Sequence, residues 1–243
     1  MKVIVKGSYE EVSREAADIF EAEIRSNPST VIGLATGSTP IGMYKELIRR
    51  FQEEGLDFSK VTSFNLDEYI GLDKDNPNSY RYFMNEELFN HINIPMENTH
   101  VPSGDIEKVQ DTILNYDKMI LDAGGIKLQV LGVGSNGHIA FNEPDVKLNA
   151  NTSLVDLTEE TIKDNSRFFN SMDEVPKKAV SMGMGSILKS DKIVLIATGK
   201  NKAEVIAKLI KEPLISTQLP VSFLLAHKDV TIICDEDAYS LVK

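Results

Sequence analysis

Asn136, His138, Asn142 and Glu143 fall within eight positions of one stretch, "SNGHIAFNEP". Histidine is the side chain best suited to moving protons near neutral pH. A carboxylate close by can orient it and stabilise its charged form. Spacing alone fits a satisfied loop histidine beside a surface glutamate equally well. A metal site has little behind it, because no second histidine stands at helical spacing. His91, His100 and His227 lie alone and read as helix-end or surface positions.

Two further acids sit together in "TSFNLDEYIGL", residues 62–72. Asp67 and Glu68 fall where a strand should end, and adjacent strand residues point to opposite sides. One carboxylate can therefore face a cleft as a base while the other serves structure or binding. Helix capping or plain solvation explains the same pair. A third stretch, "IGLATGSTPIGMYKELIRR", opens as a strand and closes as a helix. Between them, Thr36, Gly37, Ser38 and Thr39 precede Pro40, which is suited to a first helical position, with Thr39 as the expected cap. Such a helix start offers unpaired N–H groups and partial positive charge to an anion such as phosphate. An ordinary strand-to-helix turn would read the same way. Cations complete the set: Arg167 in "DNSRFF", and Lys200 and Lys202 in "ATGKNKAE". Positive charge at a helix start is mildly unfavourable, so these lysines call for an anion nearby or are simply solvated.

Positioning these groups requires a scaffold, and apolar runs alternate with helical patterns from end to end. Strands are expected at 2–5, 31–35, 62–66, 128–133, 179–182, 192–198 and 231–234. Helices are expected at 10–25, after Ser79, at 106–122, after Thr158 through 169, and at 201–211. Alternation of this kind implies a single α/β domain over residues 1–243, its mostly parallel sheet covered on both faces. Ligands of such sheets bind outside the carboxyl ends of the strands. That rule gathers the loops after Ala35, Leu66, Val133 and Thr198 at one edge, and those loops hold the residues above. Residues 145–175, polar and loop-rich, are expected to cover the site.

The loop after strand 128–133 also contains Gly132, Gly134 and Gly137 in a formal G-x-G-x-x-G, with Asp156 near the place of a ribose-binding acid. That fingerprint needs a helix opening on its last glycine. Here "GHIAFNEP" follows without a helical stripe, so a dinucleotide site is excluded. The bulk numbers narrow the field further. A net charge of −11 argues against nucleic acid or an anionic membrane as partner. It leaves an anionic small molecule open, because distant surface charge is screened over about 8 Å. The single cysteine, Cys234, lies in an apolar run and reads as a buried strand thiol. The N-terminus turns polar too soon for a signal peptide, and no apolar run approaches a membrane span. Cytoplasm is the expected location.

"GLATGSTP", "FNLDEY", "GVGSNGHIAFNEP" and "NSRFF" together resemble the glucosamine-6-phosphate deaminases, in the same order and at the same separations. The likeness runs from the first strand to "CDE" near the end. It implies a modified doubly wound, Rossmann-like fold, no metal or organic cofactor, and conversion of glucosamine 6-phosphate and water to fructose 6-phosphate and ammonia. By the same resemblance, Thr36, Gly37, Ser38 and Thr39 hold the substrate phosphate with Arg167 and Lys202. His138, tuned by Glu143, opens the sugar ring, and Asp67 moves hydrogen from C2 to C1. Some members carry aspartate where this chain has Asn136, which can hold His138 in one tautomer but adds no charge. Related 6-phosphogluconolactonases share "TGSTP" but differ at "GHIAFNEP", which leaves a lactonase-like hydrolase as the alternative enzyme. A non-catalytic sugar-phosphate sensor is the alternative outside enzymes. One branch of the family is activated by N-acetylglucosamine 6-phosphate through basic residues just after "FNEP". This chain has Ser153 and Val155 there, and ends soon after its last expected strand. Hyperbolic kinetics from a monomer or a weak homo-oligomer are therefore expected.

Overall fold

The computed structural model describes residues 1–166, 169 and 171–242. Among the described residues there are ten strands and seven α-helices. The strands are β1 (Lys2–Lys6), β2 (Val31–Leu34), β3 (Thr62–Asn65), β4 (Asp67–Tyr69), β5 (Thr99–His100), β6 (Leu128–Leu131), β7 (Ser153–Asp156), β8 (Lys178–Ser181), β9 (Lys192–Ala197) and β10 (Val230–Asp235). The helices are α1 (Tyr9–Ser26), α2 (Ile41–Glu54), α3 (Tyr80–Glu87), α4 (Val109–Asp122), α5 (Glu159–Asn165), α6 (Met184–Ile187) and α7 (Ala203–Lys211).

Seven strands form one sheet in the order β1-β10-β9-β6-β2-β3-β5, and every pairing in it is parallel. Parallel strands buried on both faces should read as continuous apolar runs. β2 and β9 do so, with only Lys192 exposed at the start of β9, and β6 does so apart from Gln129, which is polar but fully buried. From β2 the chain builds outward to β3 and β5, and from β6 it builds the other way to β9 and β10. The order therefore reverses between β2 and β6, the place where an open α/β sheet leaves a crevice for ligands. Helices flank the sheet. On α1, Val12, Ala16, Ala17, Phe20 and Ile24 are buried on one stripe, and its start is capped by Ser8, whose hydroxyl accepts from the Glu11 N–H.

The expected strand at 179–182 exists but belongs elsewhere. β8 pairs antiparallel with β4 and β7 in a separate three-stranded sheet. β4, β5 and β7 are strands that the apolar runs did not mark, since two to four ladder residues with mixed polarity carry no periodic signal. Around the small sheet Tyr69, Phe141, Leu157 and Ala179 form a second buried cluster apart from the main core. Ser79 and Thr158 cap α3 and α5 as expected, each hydroxyl accepting from an N–H three residues on. Thr39 does not cap α2. Pro40 occupies the cap position with helical φ and ψ, and no side chain bonds it. Instead the Tyr9 phenol on α1 accepts from the Gly42 N–H at 2.7 Å, which satisfies one of the helix's unpaired donors from outside. Cys234 is buried in β10, and burial, aided by Asp235, pushes its thiol up to about 11. His100 departs from expectation: it ends β5 half-buried and stacks on Phe64 at 4.5 Å. No helix among the described residues is long and apolar enough to cross a membrane.

Candidate functional site

All four loops gathered by the sheet's carboxyl edge line one cavity of about 460 Å³. Ala35, Thr36, Gly37 and Thr39 come from the loop after β2, and Leu66 and Asp67 from the β3–β4 junction. Gly132, Gly134, Ser135 and His138 come from the loop after β6, and Asn201 and Lys202 from the turn after β9. Thr161 and Asn165 on α5 close the cavity from above, so a portion of the 145–175 segment covers the site. Ser38 is exposed and does not line the cavity; its carbonyl accepts from Tyr9. Arg167 lies outside the described residues.

Two glycines are required by geometry. Gly37 sits at φ +92°, a backbone conformation that side chains rarely adopt. At Gly134 a Cβ would meet the His138 ring at 2.3 Å, so only glycine lets the imidazole lie across this backbone. After Gly137 no helix begins: residues 138–143 make a turn closed by an Ile139–Asn142 bridge. The dinucleotide fingerprint is thus empty of its structural context. Ala140, within that turn, holds φ +53°, a left-handed conformation that costs roughly 1–2 kcal/mol outside glycine. Asn142 explains how the turn is held there. It is buried, and its amide donates to the carbonyls of Ile139 at 2.9 Å and Met182 at 2.8 Å. The Ser181 hydroxyl also accepts from the Phe141 N–H at 3.2 Å. These bonds pin the histidine loop to the small sheet that carries Asp67.

Asp67 and Glu68 point to opposite sides, as alternation requires. Asp67 faces the cavity shared with His138, while Glu68 lines a separate space beyond the strand. Glu68 is a helix cap: its carboxylate accepts from the N–H groups of Tyr80 and Arg81 at the start of α3, and from Tyr69. Burial, and then the charge of Glu68, push the Asp67 carboxyl up to about 8. Burial also raises Glu68, to about 7, with its three N–H donors working against the rise.

His138 lines the same cavity as Asp67. Its Nδ1 lies 3.3 Å from Glu143 Oε2, a long contact for a hydrogen bond. The Asn136 amide donates to the same oxygen at 2.9 Å, and its own carbonyl accepts from the His138 N–H at 3.1 Å. The Thr161 hydroxyl donates to Glu143 Oε1. Burial works to raise Glu143, but the His138 ring, Thr161 and Asn136 outweigh it and hold the carboxyl below its ordinary value. Asn136 and Glu143 therefore sit behind the histidine, not in the cavity wall. Sequence reasoning missed Tyr80, Phe141, Thr161 and Asn165 in the lining. The Ser79 and Thr158 caps placed the helices that carry three of them, but no local signal says which helix face meets the cavity. Among the described residues no group of three or more His, Cys, Asp or Glu could hold a metal ion.

The arrangement offers one cavity lined by a carboxyl, Asp67, and an imidazole, His138, together with Thr36, Thr39 and Lys202. Residues 6–233 match the family model described as glucosamine-6-phosphate isomerases/6-phosphogluconolactonase. A glucosamine-6-phosphate deaminase of Clostridium perfringens is 55% identical over 243 residues, covering both chains completely. A solved structure of a monomeric glucosamine-6-phosphate deaminase superposes with a TM-score of 0.96 at 44% identity, covering 99% of this chain and 100% of that one. A 6-phosphogluconolactonase from Trypanosoma cruzi shares the fold, with a TM-score of 0.75 at 22% identity over 98% of this chain and 96% of its own.

Proposed function

The chain belongs to the family of glucosamine-6-phosphate isomerases and 6-phosphogluconolactonases, and from that premise we infer hydrolytic deamination with isomerisation as its reaction. It converts glucosamine 6-phosphate and water to fructose 6-phosphate and ammonia. The observation that carries the reading at the level of residues is Asp67 and His138 facing one cavity, with Glu143 held ionised behind the histidine.

In the mechanism we propose, the phosphate lies against Thr36, Gly37 and Thr39, with Lys202 at the helix start supplying charge. Arg167 completes the clamp in the same proposal. Charge-assisted bonds of this sort are worth roughly 1.5–3 kcal/mol each and serve to orient the sugar. His138 takes the proton of the anomeric hydroxyl and returns one to the ring oxygen as the C1–O5 bond breaks. Glu143 stabilises the imidazolium while His138 holds that proton. Asp67 then removes the proton at C2 of the open chain while a proton of the substrate ammonium passes to the C1 carbonyl oxygen, leaving a neutral enolamine, and Asp67 returns its proton to C1. The resulting C2 iminium takes up water, and ammonia leaves with the C–N bonding pair, giving the ketose. Asp67 can act as base only when ionised, and its buried site disfavours that in the empty cavity. The ammonium at C2 of the substrate is the opposite charge that favours the carboxylate on binding.

A lactonase alternative rests on the shared family model, the "TGSTP" loop and a likeness of fold at 22% identity. A sensor would have no need of Asp67, His138 and Glu143 together. We also propose that the protein works as a monomer or weak oligomer without an activator, since Ser153 and Val155 on β7 offer no charge to a second phosphate. Its substrate is a charged sugar phosphate that does not cross a bilayer unaided, which supports a cytoplasmic location. The test is ammonia release from glucosamine 6-phosphate, run beside hydrolysis of 6-phosphogluconolactone. Ammonia release is expected; lactone hydrolysis without it would overturn the reading.

A further inference from the structure

We propose that Thr161 is a positioning residue for the histidine–glutamate pair, acting through a hydroxyl relay that begins at Thr158. The inference rests on the functional reading above and adds a residue outside the loops that carry the reaction. Thr161 belongs to the first turn of α5 and is buried, at 7% exposure. Its hydroxyl meets two partners, Glu143 Oε1 and the Thr158 hydroxyl at 3.0 Å.

The proton directions in this chain follow from counting. A hydroxyl has one proton and two lone pairs, and an ionised carboxylate only accepts. Glu143 is held ionised, so Thr161 spends its single proton on Oε1. Thr158 must then donate to Thr161, while its own oxygen accepts the Thr161 N–H at 3.2 Å. The cap that starts α5 is thus also the origin of the relay. At the other end, Oε2 accepts from Asn136 and faces the His138 ring. With a partner on each oxygen, the carboxylate cannot turn without breaking a bond at one of them. Losing Thr161 frees Oε1 and lets the group rotate away from the long 3.3 Å contact to His138. Among the described residues the titratable group in contact with Glu143 is His138; Asn136 and Thr161 carry no charge at any pH.

Thr161→Val keeps the shape and removes the hydroxyl. The expected result is a folded protein whose kcat falls about 10- to 100-fold, a share of the 10²–10⁴ that a positioned proton-transfer group supplies, with KM within about twofold. In the substrate-free protein the ¹³C titration of the Glu143 carboxyl should move to higher pH. Thr161→Ser should restore both readouts, and Thr161→Ala should repeat the valine result if the valine chain fails to fold. An unmoved Glu143 titration, or a serine variant as impaired as valine, would overturn the proposal. The titration needs no substrate, so it decides the role of Thr161 separately from any failure of the wild type to release ammonia.

Discussion

Asp67 and Glu143 are both carboxyls close to one cavity, and their surroundings push them in opposite directions. Asp67 stands on the edge of the small antiparallel sheet, 6% exposed, beside the aromatic cluster of Tyr69, Tyr80 and Phe141 and next to another acid. Glu143 sits in the loop after β6, where an amide and a hydroxyl donate to it and an imidazole faces it. Burial alone favours the neutral form in both places. What separates them is the supply of donors. Where donors are present the carboxylate stays ionised and can support a cation. Where such donors are absent and another acid stands beside it, the carboxyl is driven toward its neutral form. Surroundings that drive the proton affinities of such a pair in opposite directions fit the division proposed above, Asp67 as a base and Glu143 as the charge behind His138.

The sharpest way to break this contrast is Asp67→Asn. Turnover should fall about 10²–10⁴-fold with KM little changed, measured by ammonia release. Near wild-type turnover would remove Asp67 from the mechanism. The same variant should be more stable than wild type. Asp67 has a raised folded pKa, so between its unfolded value near 4 and about 8 the folded state binds more protons, and wild-type stability declines as pH rises through that window. Thermal melts should therefore show a gain for Asn that grows from pH 5 to pH 8.

Glu143→Gln should do the reverse. We expect a loss of roughly 10²-fold in kcat together with lower stability at neutral pH. Its folded pKa is depressed, so its contribution is present above the ordinary glutamate value and is lost as pH falls through the folded one. The gap between wild type and Gln should close in acid. Melting curves that shift the same way for both variants would refute the contrast.

Lys202→Met tests whether the proton-handling regions are separate from the phosphate end. KM should rise about 10- to 100-fold, matching the loss of one charge-assisted bond, while the pH dependence of kcat stays put. Asn136→Asp should have a smaller effect, a shift of the pH–rate profile as added charge steadies the imidazolium. An unchanged profile would make position 136 purely structural. N-acetylglucosamine 6-phosphate should have no effect on a hyperbolic saturation curve, and a sigmoidal curve that it straightens would end that expectation.

Much of the site was legible in the chain, because strand ends and glycines are local signals. Val31–Leu34 and Leu128–Leu131 read as buried strands from composition alone, and the sheet rule then brought Thr36, Asp67, His138 and Lys202 to one edge. The different fates of Asp67 and Glu68 also followed from alternation. The cap of α2 did not: Thr39 has the right type, but Tyr9, far away in sequence, supplies the partner.

Residue order thus determined the alternating architecture, the loops that meet at the carboxyl edge and the residue types offered there, since hydrophobic period, caps and breakers act over a few positions. Tertiary structure decided which sheet Lys178–Ser181 would join, which face of α5 would meet Glu143, and what proton affinity each carboxyl would have. Strand pairing, burial and hydrogen-bond supply depend on groups brought together from remote stretches of the chain. Asp67 paired with Ser181, and Thr161 bonded to Glu143, are facts of packing that no local pattern encodes.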